Sequence, residues 1–194
     1  MTGKCNQQRL RTGYDTTILR ACQVVDRTPF LSTPDGYNEK KFKSGGILRL
    51  PKKFHQNPQE AQKNVKAYTD LAKYHGEQYQ LLNVVNETGR KNPDALNLKT
   101  GMFSDAKIPI TENGKNAIQA SIKSASEQKV SEVYIYAEHE YAMYDIWLGI
   151  KAALQGGRAK SIETIIIRMK NGEIKKYDVA KLRKIFDKSK GKAT

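Results

Sequence analysis

Cysteine is nearly absent from this 194-residue chain, and histidine and tryptophan are scarce: two, three and one residues respectively. Two thiols, Cys5 and Cys22, allow one bridge at most and read more simply as reduced structural residues. His55, His75 and His139 stand singly, so nothing in the chain has the ligand spacing of a structural zinc site. Long apolar runs are missing as well. No stretch approaches the ~18 residues of a membrane-spanning helix, so no membrane insertion is expected. The opening MTGKCNQQRLR lacks the apolar centre of a secretory signal. Carboxylates are the last shortage: 20 Asp and Glu stand against 34 Lys and Arg, a net charge of +14. That balance favours a polyanionic partner, nucleic acid first, over a neutral metabolite.

What remains is an ordinary globular composition, 38% hydrophobic and 28% charged, long enough for one substantial core. Residues 1–44 carry no sustained period beyond a short helix expected near Thr16–Val25. They read as an N-terminal extension or docking arm. Ser44-Gly45-Gly46 precedes a short strand, Ile47–Leu50, which Pro51 ends. Asn57-Pro58-Gln59-Glu60 has the cap, first-turn proline and early acid of a helix start, and Gly76 supplies its stop. Gln78–Val85 predicts a central strand. A second helix is expected over about 114–128, and an alternating strand over 131–137. A third helix follows over about 139–155, with Met143, Trp147, Ile150 and Leu154 as its core stripe. Ile162–Met169, Asn171-Gly172 and Glu173–Tyr177 form a hairpin pattern, because Asn-Gly suits a two-residue turn. A short helix over 179–186 and a basic tail, 188–194, end the chain. The fold class expected is α+β, a twisted, mostly antiparallel sheet with helices packed on it and returning to one side. The nuclease-like body would span 45–187.

The chemistry concentrates in Asn92–Pro109, NPDALNLKTGMFSDAKIP. Residues i and i+2 of a strand share a face, which puts Asp105 beside Lys107. A hairpin would bring Asp94 across the ladder to them. Two carboxylates converging on one ammonium suit phosphodiester cleavage. Residues 151–194 carry a net +9 of the total charge, a surface for phosphates. The tyrosines Tyr134, Tyr136, Tyr141 and Tyr144 and Trp147 are spaced for core packing.

Taken in order, Gly45-Gly46, LAKYHG (Leu71–Gly76), YQLLNVV, Pro93-Asp94, MFSDAKIP, EVYIYA and IIIRMKNGEIKKY resemble the barnase–EndoU–colicin–RelE (BECR) group of nucleases. More narrowly, Gly45–Tyr177 is similar to the C-terminal toxin domains of contact-dependent growth inhibition proteins and related phage-encoded modules. The resemblance implies metal-independent RNA cleavage, often of tRNA, by attack of a ribose 2′-hydroxyl on the neighbouring phosphate. In that chemistry Asp94 or Asp105 would position or act as base, Lys107 would meet the phosphate, and Thr111 would donate a hydrogen bond. His55 would act as acid or base. Arg168 would contact phosphate bidentately, with Lys170, Lys175 and Lys176 beside it. No cofactor is then needed. The partners implied are RNA and an acidic immunity protein, with action in the cytoplasm after delivery from a larger parent.

A second resemblance stays open. Pro93-Asp94…Asp105-Ala106-Lys107 matches the PD-(D/E)XK signature of metal-dependent DNA nucleases, with Glu60 as the additional acid. There Asp94 and Asp105 would hold Mg²⁺ and Lys107 would orient water. A non-catalytic nucleic-acid-binding module is the third possibility.

Overall fold

The computed structural model describes residues 33–55, 57–85 and 91–190, with side chains to 187. The expected helix over 16–25, both cysteines and residues 191–194 lie outside them.

Eight strands form one sheet in sequential order: β1 (Tyr37–Lys41), β2 (Ile47–Pro51), β3 (Gln78–Leu81), β4 (Ala95–Asn97), β5 (Phe103–Lys107), β6 (Glu132–Tyr136), β7 (Thr164–Arg168) and β8 (Ile174–Asp178). Four of the seven pairings are antiparallel; β2–β3, β5–β6 and β6–β7 are parallel. The chain is therefore α+β as expected. Strands β2, β3, β5, β6 and β7 all run one way, so their carboxyl ends share one edge. Residues 37–41, in the stretch read from sequence as an extension, pair with β2 and belong to the sheet.

Four helices occur among the described residues: α1 (Pro58–His75), α2 (Gly114–Glu127), α3 (Met143–Leu154) and α4 (Val179–Lys190). The Asn57 carboxamide accepts from the Gln59 amide at 2.9 Å and opens α1, which stops at Gly76 in the left-handed conformation (φ 67°). Asn113 caps α2 in the same manner, through the Asn116 amide.

The helices do not return to one side. Alternation along β6 shows why: Val133 and Ile135 point into a core with α2, α3 and α4, while Tyr134 and Tyr136 pack with Ala67, Tyr68, Leu71 and Ala72 of α1 on the opposite face. A strand apolar on both faces needs a cover on each. The sheet also curls around α1. Glu77, just past α1, lies 3.7 Å from Lys99 of the β4–β5 turn and 3.8 Å from Lys176 of β8. Trp147 packs edge-on against Phe186, ring centroids 5.1 Å apart.

Two expected elements are shorter than the pattern implied. The run 78–85 ends as a strand at Leu81; one more in-register bond, from the Leu82 amide to the Asp94 carbonyl, closes the pairing with β4, and Asn83 then binds the Lys53 carbonyl. Helix α3 begins at Met143 rather than near 139. Its preceding Tyr141 is drawn inward, 5% exposed, with its hydroxyl donating to the Thr111 carbonyl at 2.7 Å.

The Ser44–Gly46 turn abuts the end of α1. Ser44 Oγ donates to the Ala72 carbonyl, and a Cβ on Gly46 would stand 1.9 Å from that oxygen. The Ala72 oxygen is backbone and a Cβ is fixed rigidly to its own backbone, so neither can swing away. Gly46→Ala should cost about 3 kcal/mol, read as a fall in Tm of roughly 6–12 °C in a thermal melt.

Candidate active site

The last ladder pair between β4 and β5 is Ala95↔Ser104. One step further, Asp94 stands opposite Asp105, at the edge where β5 ends. There the Asp94 carboxyl is held by two donors: Oδ1 accepts from Asn64 Nδ2 of α1 at 2.9 Å and Oδ2 accepts from the Ala106 amide at 2.8 Å. The Asp105 carboxyl is close enough for its charge to act on Asp94. Lys107 Nζ lies 2.7 Å from Asp105 Oδ2. Asp105 is 3% exposed, Asp94 is half-buried and Lys107 is a quarter exposed, so the cluster is largely shielded but still reached by solvent through Lys107 and Asp94.

Two acids this close cannot both ionise cheaply. Burial, reinforced by the Asp105 charge, pushes Asp94 from its usual 3.8 up to about 8; the Ala106 amide and Lys107 pull it back only in part. Asp105 Oδ2 is buried and accepts no well-directed hydrogen bond; the ammonium beside it is an ion-pair contact.

The sign of the pH effect follows. The folded state keeps a proton on Asp94 that the unfolded chain releases near pH 4. Stability is thus highest at low pH and declines as pH rises towards about 8. Urea midpoints measured in chelator across that range should drop with pH, and Asp94→Asn should flatten the slope.

The other residues singled out from sequence are spread around this point. His55 is exposed beyond β2, its amide donating to Asn83 Oδ1 at 3.1 Å, and Thr111 is exposed in the β5–α2 connection. No hydrogen bond or ion pair among the described residues joins either to the cluster. Glu60 is exposed one helical turn before Asn64, on the face of α1 that reaches Asp94. Arg168 is engaged elsewhere: it pairs with Asp70 and lies 4.3 Å over the Tyr136 ring. Lys175 pairs with Glu173 and Lys176 approaches Glu77, whereas Lys170 is exposed at the β7–β8 turn.

No family model matches the chain, and no curated protein does. It is similar in outline to a solved structure. That structure is the CdiA-CT/CdiI toxin and immunity complex from Burkholderia pseudomallei, with 19% identity and a TM-score of 0.49 over 66% of this chain and 98% of that one.

Sequence reasoning passed over two features. Asn64, only 6% exposed, orients Asp94 from thirty residues away. Behind β5 lies a buried polar network: Tyr68 Oη donates to Ser104 Oγ at 3.0 Å, Tyr79 Oη to Glu132 Oε1 at 2.7 Å, and Asn97 Nδ2 to Glu132 Oε2 at 3.1 Å. It ties α1, β3, β4, β5 and β6 together directly beneath Asp105. Burial raises the Glu132 carboxyl above its usual range, and the hydrogen bonds from Tyr79, Ser104 and Asn97 oppose that rise. The available signal was an acid in phase with Tyr134 and Tyr136, at a core position of β6.

No group of three or more His, Cys, Asp and Glu able to hold a metal converges among the described residues. A closed cage of the zinc type is thus not built there. A pair of hard carboxylates suits a cation that completes its shell with water and phosphate, as Mg²⁺ does, once the Lys107 ammonium moves off Asp105 Oδ2.

Proposed function

We propose that this chain hydrolyses phosphodiester bonds of structured nucleic acid with the help of a divalent cation held by Asp94 and Asp105. The observation that carries the reading is the proximity of these two carboxyls, with the hydrogen-bond-free Asp105 Oδ2 beside Lys107. Mg²⁺ bound there supplies Lewis-acid charge opposite the negative charge that develops on the phosphate. Asn64 and the Ala106 amide hold the Asp94 carboxylate in one orientation. The Lys107 ammonium, placed between the acids and solvent, orients the attacking water and balances the charge of the phosphate oxygens. Lys52, Lys53, Lys63 and Lys91 are exposed around the same edge, and none forms an ion pair with a described carboxylate. Their ammonium groups can track the backbone of a polyanion. The resemblance of Gly45–Tyr177 to growth-inhibition toxin domains suggests the setting: an effector acting on RNA such as tRNA and neutralised by an acidic immunity protein.

A second reading keeps the same residues without a metal. Asp94 holds a proton up to about pH 8, so the acid pair has one proton to give and one carboxylate to receive. That suits transesterification by a ribose 2′-hydroxyl. Chelation separates the two. EDTA should lower cleavage of a labelled tRNA by about two orders of magnitude or more, and added Mg²⁺ should restore it. Full activity in EDTA, lost when the nucleotide at the cut carries a 2′-deoxyribose, would transfer the assignment to the metal-free route. Tight, salt-sensitive binding without turnover under any condition would leave a binding module only.

A further inference from the structure

We propose that the cleft between the β6–α3 connection and the β7–β8 turn receives an unstacked nucleobase of the strand being cut, a reading that rests on the nuclease function above. The cleft has a volume of about 320 Å³ and is lined by Glu140, Tyr141, Ala142, Met169, Lys170 and Asn171. This is the lower end of the range for ligand pockets, suited to one ring system rather than a large ligand. It opens on the edge that carries the carboxylate pair. Lys107 is in register with Ile135, and Ile135 with Ile167, so the end of β7 lies two strand spacings, ~10 Å, from Lys107. A strand cut beside Lys107 reaches the cleft within a few nucleotides.

The lining matches a planar heteroaromatic ring better than a phosphate. Met169 is a polarisable thioether, Ala142 leaves room, and Tyr141 is fixed by its bond to the Thr111 carbonyl. Around this apolar wall stand one carboxylate acceptor, Glu140, and two donors, the Lys170 ammonium and the Asn171 amide. A base offers apolar faces and a hydrogen-bonding edge to such a lining. An anion would meet the Glu140 carboxylate and the apolar wall.

The surroundings carry the inference further. Ile110 is 88% exposed, Tyr144 71% and Met143 49%. Ile110 belongs to the β5–α2 connection, and Met143 and Tyr144 open α3. The two segments are joined by the Tyr141–Thr111 hydrogen bond and by the approach of His139 Nδ1 to Glu112 at 3.9 Å. Large apolar side chains held in water on the two segments joined at Tyr141, which lines the cleft, are placed to wedge between, or stack on, the bases left behind.

The test uses two hairpin oligonucleotides, one fully paired and one with a single unpaired 2-aminopurine, bound to the whole chain in EDTA so that neither is cut. The unpaired substrate should bind about tenfold tighter, with a change in 2-aminopurine fluorescence. Ala142→Phe, which fills the cleft from an exposed position that makes no cap bond, should erase the preference while affinity for the paired hairpin stays. Glu140→Ala removes an exposed carboxylate and should selectively weaken unpaired bases bearing an exocyclic amine, cytosine over uracil. Equal affinity of the unaltered chain for both hairpins overturns the proposal and leaves the cleft to a side chain of a protein partner. A preference that survives Ala142→Phe overturns it too. A preference erased by Ala142→Phe in a chain that cuts no substrate with any cation supports the cleft and sinks the nuclease reading instead.

Discussion

Asp105→Asn is expected to reduce phosphodiester cleavage by about three orders of magnitude, and Lys107→Ala by about two to three, with folding intact in both. The asymmetry between activity and stability is what identifies a site rather than a scaffold. In the folded chain the Asp105 carboxyl repels Asp94, so its replacement by an isosteric amide relieves a burial cost while it removes the ligand oxygen. The ion pair lost with it joins a buried oxygen to a partly exposed ammonium, so replacing the buried charge leaves behind only an ammonium that solvent can reach. The thermal midpoint of Asp105→Asn should stay within about 3 °C of the parent. Lys107→Ala leaves the buried Asp105 carboxylate without its counter-charge and should melt lower, and cleavage of a quenched fluorescent oligonucleotide reads the loss in both. An Asp105→Asn protein that melts far lower, or one that cuts normally, would remove Asp105 from the chemistry.

Glu132 should behave in the opposite way. Glu132→Ala leaves the Tyr79 hydroxyl and the Asn97 amide buried without their acceptor and opens a void between β5 and β6. The expected cost is about 3–5 kcal/mol, a drop in Tm of roughly 10 °C. Glu132→Gln keeps the volume but turns one acceptor into a donor, so it should cost only about 1–2 kcal/mol. Denaturation in urea distinguishes the two. Equal losses would mean that packing, not hydrogen bonding, is what Glu132 provides.

The hairpin around Asp94, Asp105 and Lys107 was legible because it depends on local rules: the two-residue period of a strand and a turn rich in Asn, Lys and Gly. The helix start at Asn57 was legible for the same reason. Asn64 was not, since its meeting with Asp94 follows from how α1 lies across β2 and β3, and no spacing along the chain encodes that. Nor was the two-sided placement of the helices. Alternating Val-Tyr-Ile-Tyr in β6 was read as a strand, but tyrosine suits a wet face or a packed one, and only the cover by α1 decides. The part of β1 in residues 37–41 was hidden because its sequence, YNEKK, is too polar to resemble a strand; it forms by pairing with β2 and through Glu39 on the buried Arg49. Charge deceived in a related way. Arg168 looked free in the sequence, and in space it is occupied by Asp70 and Tyr136.

Among the described residues, the sequential strand order leaves β1 and β8 with one unpaired flank each. Such rims invite sheet-to-sheet association between molecules, and here they carry Lys40 and Lys41 on one and Lys175 and Lys176 on the other. Lysine along a rim keeps neighbouring copies apart. Part of the cationic excess therefore serves colloidal stability, and the charge of the whole chain overstates what is available for gripping a polyanion.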